Sequence, residues 1–176
     1  MTKILEFLKK KKLFFYSLVF ILILFSFDIW TKRKAFRSVN NIIYKTRGIH
    51  THIKITSFFN IVKVVNTGIS FGMLNNIKYG QFILSTVVLC IVIFLIYLAW
   101  KTKEKFELFV YSLIIAGGFG NLYDRIVYGG VFDFLDFHLG EYHWPAFNIA
   151  DSLICIGVAL IILKDLVNYL KNYKKN

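Results

Sequence analysis

The chemistry in this chain is concentrated in one local pattern that occurs twice, Asn121-x-x-Asp124 and Asn148-x-x-Asp151. An i, i+3 spacing puts each Asn on the helical face of its Asp, so two amides and two carboxyls converge if the two segments meet. Two close carboxyls do not both ionise easily: one keeps its proton while the other stays charged. The ionised member can activate a water and the protonated one can hydrogen-bond a carbonyl. The expected reaction is acyl hydrolysis by an aspartyl dyad, Asp124 and Asp151, with no metal and no cofactor. A plainer reading is open for the second copy, because Pro145 precedes it, Asn is a favoured N-cap, and a first turn welcomes an acid. Capping does not account for Asn121 and Asp124 at the carboxyl end of a helix, where a negative charge opposes the dipole. Those dipoles favour charge on Asp151, the expected base, and leave the proton on Asp124, with Arg125 pulling the other way.

Other polar residues allow simpler readings. Asp28 and Lys32 form an i, i+4 pair in the favoured order, which stabilises a helix end. Arg125 adjoins Asp124 and can orient a carboxylate or form an ion pair with it. Asp133 and Asp136 read as solvated positions on an outer segment. His50, His52, His138 and His143 could supply four metal ligands, but their spacing is weak support and none is expected to bind metal. Cys90 and Cys155 lie in apolar runs, in no CxxC or metal spacing, and read as buried small hydrophobes. Gly117, Gly118 and Gly120 within a helix suggest close helix packing in lipid.

These residues need elements to hold them, and the composition says of what kind. Apolar types make up 57% of 176 residues, with 19 Phe and 10 Tyr, more than a soluble core of this size can hide. The formal net charge of +12 could suggest nucleic acid, but the basic residues cluster beside apolar runs, as helix ends do at an anionic membrane surface. Four apolar stretches, at about 13–30, 81–100, 106–122 and 147–163, each have the length to cross the hydrocarbon as a helix. The first has no small-x-small cleavage site and is read as retained. The expected fold is a membrane all-α bundle of four transmembrane helices forming one domain over 1–176, with a small extracytoplasmic β-sheet between helices 1 and 2. The sheet is expected over about 53–72, where β-branched and aromatic residues lead into Asn66-Thr67-Gly68; Val131 to Leu139 is a second candidate strand. Basic clusters at Lys9 to Lys12, Lys101 to Lys105, and Lys164, Lys171, Lys174 and Lys175 place both termini in the cytoplasm. The first loop opposes this with Lys32, Arg33, Lys34, Arg37 and others, although long loops escape the charge bias more easily.

In this order the residues resemble the lipoprotein signal peptidase (signal peptidase II) family over nearly the whole chain. The matching stretches are Asp28 to Lys32, Asn66 to Gly72, Gly117 to Arg125, Gly130 to Phe137 and Trp144 to Asp151. The resemblance implies a bacterial inner-membrane enzyme that cuts a diacylglyceryl-modified prolipoprotein just before its lipidated cysteine. It implies a dyad of Asp124 and Asp151, with Asp28, Lys32, Asn66, Gly68, Asn121, Arg125 and Asn148 binding substrate or supporting the dyad. Membrane lipids are the other expected partners, a monomer the expected state, and no nucleic acid is involved. Ile29 stands where the family usually has Gln, and Ser70 where it often has Ala. The segment from about Arg37 to Ser57 is longer than the family pattern, and no role is assigned to it. A polytopic transporter or lipid-binding scaffold using the same acids as a proton relay is the alternative, but a relay stages acids at several depths, whereas these cluster near one face.

Overall fold

The structure is a computed structural model that describes residues 11–48, 51–68 and 79–173. Four helices are long and apolar enough to cross a membrane. In chain order the elements are α1 (Lys12–Lys45), β1 (Ile53–Lys54), β2 (Phe59–Asn66), α2 (Gly80–Lys101), α3 (Lys105–Tyr128), β3 (Val131–Leu139), β4 (Tyr142–His143) and α4 (Ile149–Tyr173).

The third helix is the axis of the bundle. In its most apolar window 67% of the residues are buried, against 17%, 22% and 11% in α1, α2 and α4, and it packs on all three. It can be central because it is small where it must be. A Cβ built at Gly117 would run into the Ala150 carbonyl oxygen, one at Gly118 would lie 2.6 Å from Val92 Cγ2, and one at Gly120 would meet the Asp28 carboxylate. Each missing side chain lets a neighbouring helix approach closely, at Gly117 to backbone contact, which is how helices associate where lipid supplies no hydrophobic drive.

The first helix runs well past the apolar stretch at 13–30, to Lys45. No Gly or Pro interrupts the chain from Leu13 to Arg47, and the buried residues Ile21, Asp28, Lys32, Phe36 and Val39 form one stripe at helical spacing. The upper part of the stripe packs under the sheet: Phe36 stacks on Phe132 at 4.3 Å, and Lys63 Nζ donates to Asn40 Oδ1 at 2.9 Å. The helix ends where Arg47 and Gly48 take positive φ (50° and 85°), with the Gly48 N–H bonded to the Ile43 carbonyl at 2.9 Å. The segment to which the sequence assigns no role thus begins as a helical mast beneath the sheet.

The sheet is antiparallel in the order β1-β2-β3-β4, so it joins the connection between α1 and α2 to the connection between α3 and α4, and is not confined to the first loop. Register runs from Phe59 opposite Phe137 to Asn66 opposite Val131, with an irregularity between Ile61 and Val64. Phe147, just before α4, pairs with Leu135, which ties the last helix to the sheet. The expected strand beyond Gly68, including Ser70 and Gly72, falls outside the described residues. Cys90 and Cys155 are exposed on the outside of the helices instead of buried, since the bundle is one helix layer around α3 and most side chains of α2 and α4 face outward.

Gly117→Ala is expected to destabilise the bundle by about 1–3 kcal/mol, the range for overpacking a contact that cannot retreat, because the obstacle is a backbone carbonyl. A thermal unfolding curve in detergent identical to that of the unsubstituted protein would contradict this close approach.

Candidate active site

Buried polar side chains from α1, α3, the sheet and the start of α4 meet where the bundle touches the sheet, and Lys32 is at the centre. Its side chain is 1% exposed, and its ammonium lies 2.8 Å from Asp28 Oδ2, 2.9 Å from Asp124 Oδ2 and 3.2 Å from Asn121 Oδ1. An ammonium has three protons, and here each has an acceptor. Asp28 also reaches across to α4, accepting from the Ala150 N–H at 2.8 Å; it caps a helix more than a hundred positions away and sets a negative charge at that helix's positive end. Asp124 accepts from the Phe132 N–H at 3.1 Å as the chain enters β3.

The structure sets Asp124 in surroundings its sequence position does not suggest. Asp124 lies inside the last turn and a half of α3, not beyond its end, because the helix continues to Tyr128 and stops on Gly129 in the left-handed region (φ 72°). At that position its carboxyl faces Lys32 and is 1% exposed. A carboxylate so placed is committed to the ammonium. The acid set beside Asp151 is Asp133. Its Oδ1 accepts from Asn148 Nδ2 at 2.7 Å and its Oδ2 from Asn66 Nδ2 at 3.2 Å. Asp133 and Asp151 line one cavity of about 660 Å³ with Asn66, Gly68, Asn121 and Arg125, and Asp124 does not line it.

Asp133 and Asp136 are therefore not solvated, as their sequence surroundings suggest: they are 2% and 6% exposed. Both are buried, on opposite faces of β3. Burial, and then the negative charge of Asp151, push the Asp133 carboxyl up to about 7 in spite of the amides of Asn66 and Asn148. Burial also pushes Asp136 up, but the hydrogen bonds it accepts from Asn60 (2.9 Å) and from the His143 ring (2.8 Å) win and hold it below the usual carboxylate range. One strand thus carries one acid tuned to keep its proton and one tuned to lose it.

Asn148 and Asp151 make the cap that is their plainer reading. The Asp151 N–H donates to Asn148 Oδ1 at 2.9 Å and the Asn148 N–H to Asp151 Oδ2 at 3.2 Å, the reciprocal bonds of a capping box. The other Asp151 oxygen, Oδ1, takes 2.7 Å from Asn121 Nδ2, and Asn148 Nδ2 also reaches Asn121 Oδ1 at 3.2 Å. The two Asn of the repeated pattern do converge, as expected, and they join the Lys32 cluster to the cavity. Asn66 folds its Oδ1 back to the Gly68 N–H at 3.0 Å, closing the turn after β2. Arg125 makes no ion pair with Asp124. Its guanidinium reaches the Asn121 carbonyl at 3.4 Å, leaves the buried Nε without a partner, and borders the cavity.

His138 and His143 stack on each other at 4.9 Å on the sheet, with His143 bonded to Asp136. Among the described residues no three His, Cys, Asp or Glu gather as metal ligands; His50 falls outside them. Below the polar zone the cavity wall is apolar, from Leu84, Val88, Ile154 and Cys155. The site can therefore hold an amide between two carboxyls, with an open guanidinium nearby and an apolar trough leading into the membrane-crossing part of the bundle.

Comparison with known proteins bears on this arrangement. The family model described as "Signal peptidase (SPase) II" matches residues 20–167. The chain is 47% identical over 114 residues to a protein of Thermodesulfovibrio yellowstonii named lipoprotein signal peptidase, covering 65% of this chain and 75% of that one. It is 48% identical over 118 residues to one of the same name from Francisella tularensis subsp. novicida, covering 65% and 73%. A solved structure described as a bacterial membrane enzyme, determined by the in meso method at 2.3 Å resolution, superposes with a TM-score of 0.67 at 32% identity, over 88% of this chain and 89% of that one.

Lys32→Met removes the one cation between two buried carboxylates and is expected to cost about 3–5 kcal/mol of stability. Chemical or thermal unfolding of the purified protein checks it. A loss under about 1 kcal/mol, the scale of an exposed pair, would mean that the ammonium does not hold this end of the bundle together.

Proposed function

The chain belongs to the signal peptidase II family, and from that premise we propose that it removes the signal peptide from diacylglyceryl-modified prolipoproteins, cutting before the lipidated cysteine with an aspartyl pair formed by Asp133 and Asp151. The observation that carries the proposal is that these two carboxyls, joined through Asn148, open on the same cavity at the meeting of sheet and bundle. Four membrane-crossing helices and the family make it a multi-pass bacterial membrane protein and a peptidase. In the proposed orientation both termini are cytoplasmic and the sheet lies outside.

The chemistry follows from the environments of the two acids. Asp151 sits at the amino end of α4 with amide donors on both oxygens. Asp133 keeps its proton up to about pH 7. With a peptide bond between them, Asp151 takes a proton from a water as that water attacks the carbonyl carbon, and Asp133 donates a hydrogen bond to the carbonyl oxygen as it gains charge. Collapse of the tetrahedral species breaks the C–N bond, and the departing amine leaves with the proton from Asp151. Arg125 can take a substrate backbone carbonyl on its open guanidinium edge, while the trough beside Leu84 and Ile154 takes the signal helix or acyl chains. The lipid then acts as an anchor that sets the scissile bond at the depth of the acids before any chemistry.

Asp124 serves the site indirectly, because with Asp28 it holds Lys32, and Lys32 holds Asn121 against Asp151. It is a positioning residue, and the Asp124 and Asp133 variants should behave differently. Asp133→Asn and Asp151→Asn should each lower cleavage of a purified lipidated precursor by on the order of 10²–10⁴-fold, the usual cost of losing an acid or base, with unfolding curves little changed. Asp124→Asn should lower stability and reduce cleavage less. If Asp133→Asn cleaved at the normal rate while a stably folded Asp124→Asn did not, the pair would be Asp124 with Asp151.

The pH profile gives a second test. The working form has Asp133 protonated and Asp151 ionised. Asp133 is raised to about 7, so its proton is present below that pH and lost above it. The value of kcat/KM should therefore fall on an alkaline limb near pH 7 and stay depressed at higher pH. A plateau from pH 6 to 9 would remove Asp133 from the role of proton holder.

A further inference from the structure

A second site lies on the other flank of α3, away from the acids. A cavity of about 550 Å³ opens beside the outer half of α1, and Arg33, Lys34 and Arg37 line it with Ser38, Asn41 and Tyr123. No carboxylate is among its lining residues. The three cations share one helical face at i, i+1 and i+4, where like charges oppose helix formation unless an anion meets them. Two of them are held in place: Arg33 Nη2 donates to the Tyr123 hydroxyl at 3.0 Å, and Lys34 Nζ sits over the Trp30 ring at 4.9 Å. An indole at this level marks the headgroup layer of a bilayer.

Directly beneath, a second cavity of about 510 Å³ continues the first and shares Phe25 and Tyr123 with it. Its wall is apolar throughout, from residues such as Leu18, Leu22, Phe119, Leu122 and Ile126. From Leu18 to Arg33 the helix rises about 22 Å at 1.5 Å per residue, more than the roughly 15 Å of hydrocarbon in one leaflet. A cationic chamber on top of an apolar groove as deep as a leaflet has the shape and charge of one kind of molecule. We propose that α1 and α3 form a binding site for an anionic phospholipid of the leaflet facing the sheet, with its phosphate on Arg33, Lys34 and Arg37 and an acyl chain along Leu18, Leu22 and Phe25. Guanidinium groups suit the phosphate, since they can donate two parallel hydrogen bonds. The site is bounded by α1, α2 and α3, whereas the acid-lined cavity is bounded by α2, α3, α4 and the sheet; lipid can occupy the first while substrate occupies the second.

Native mass spectrometry of the full-length protein, released from bicelles of equal phosphatidylglycerol and phosphatidylcholine with identical chains, tests this. The protein should retain one phosphatidylglycerol with a several-fold preference, and raising the salt concentration before release should reduce that preference. The double variant Arg33→Gln, Arg37→Gln should lose the preference, and Arg33→Lys, Arg37→Lys should keep most of it. Leu22→Trp, which fills the groove and leaves every charge in place, should lose the lipid itself. Equal retention of the two lipids by the unsubstituted protein would overturn the proposal, whatever the variants do. Displacement of the retained lipid by glycerol 3-phosphate would reduce the site to a phosphate site without a chain groove. Displacement by one equivalent of a lipidated precursor peptide would assign the groove to substrate, and either displacement overturns the proposal as stated.

Discussion

A lysine ammonium with no access to water is the constraint around which this end of the molecule is built. An unpaired buried charge is too costly to keep, and truncating one member of such a pair leaves the other stranded. Lys32 therefore fixes the positions of its acceptors, and the acceptors come from separate parts of the chain: Asp28 one turn earlier, and Asn121 and Asp124 on α3. Each acceptor passes the constraint on. Asp28 holds the first turn of α4, Asp124 holds the start of β3, and Asn121 holds Asp151. The two groups proposed for catalysis, Asp133 on β3 and Asp151 on α4, stand on the two elements positioned in this way.

The arrangement divides the acids by environment. Asp28 and Asp124 share the Lys32 cation. Asp133 has only amides and the field of another acid, and so retains a proton near neutral pH. Identical side chains take opposite roles according to whether an ammonium or a carboxylate is the nearer neighbour. The two sets are separate in space: Asp133, Asp151 and Arg125 line the cavity, and Asp28, Lys32 and Asp124 do not.

The bundle was legible because hydropathy reports spans directly: three of the four apolar stretches lie within the helices, and the fourth begins two residues before α4. Their ends were less so. The helical mast beyond Trp30 carries Lys, Arg and Asn on its exposed faces and reads as loop unless Phe36 and Val39 are seen to continue the stripe of Asp28 and Lys32 at helical spacing. The repeated Asn-x-x-Asp pattern correctly brought Asn121, Asn148 and Asp151 together, but it could not say which acid would face Asp151. That depends on α3 continuing to Tyr128, which turns Asp124 toward Lys32, and on the alternation of β3, which puts Asp133 on the same inward face as Val131. The alternation was visible in the sequence as a strand; its inward face became identifiable only with β2 paired alongside and Asn66 within reach of the carboxyl. The Lys32 cluster has no local signature beyond one i, i+4 pair, since its other partners lie 89 or more positions away.

That sequence separation has a consequence for how the protein is made. The first helix enters the membrane carrying Asp28 and Lys32 long before Asn121 or Ala150 has been synthesised, and the contact between Asp28 and Ala150 closes over 122 positions. Until then the two charges have only each other, and their spacing of one turn lets them neutralise each other during lateral release into lipid. When the last helix arrives, the Ala150 N–H takes the second oxygen of Asp28, Oδ1, while Oδ2 stays with Lys32. A partly synthesised chain therefore contains the hub and none of the finished cavity, so the ribosome must complete the fourth helix before any membrane substrate can be cut.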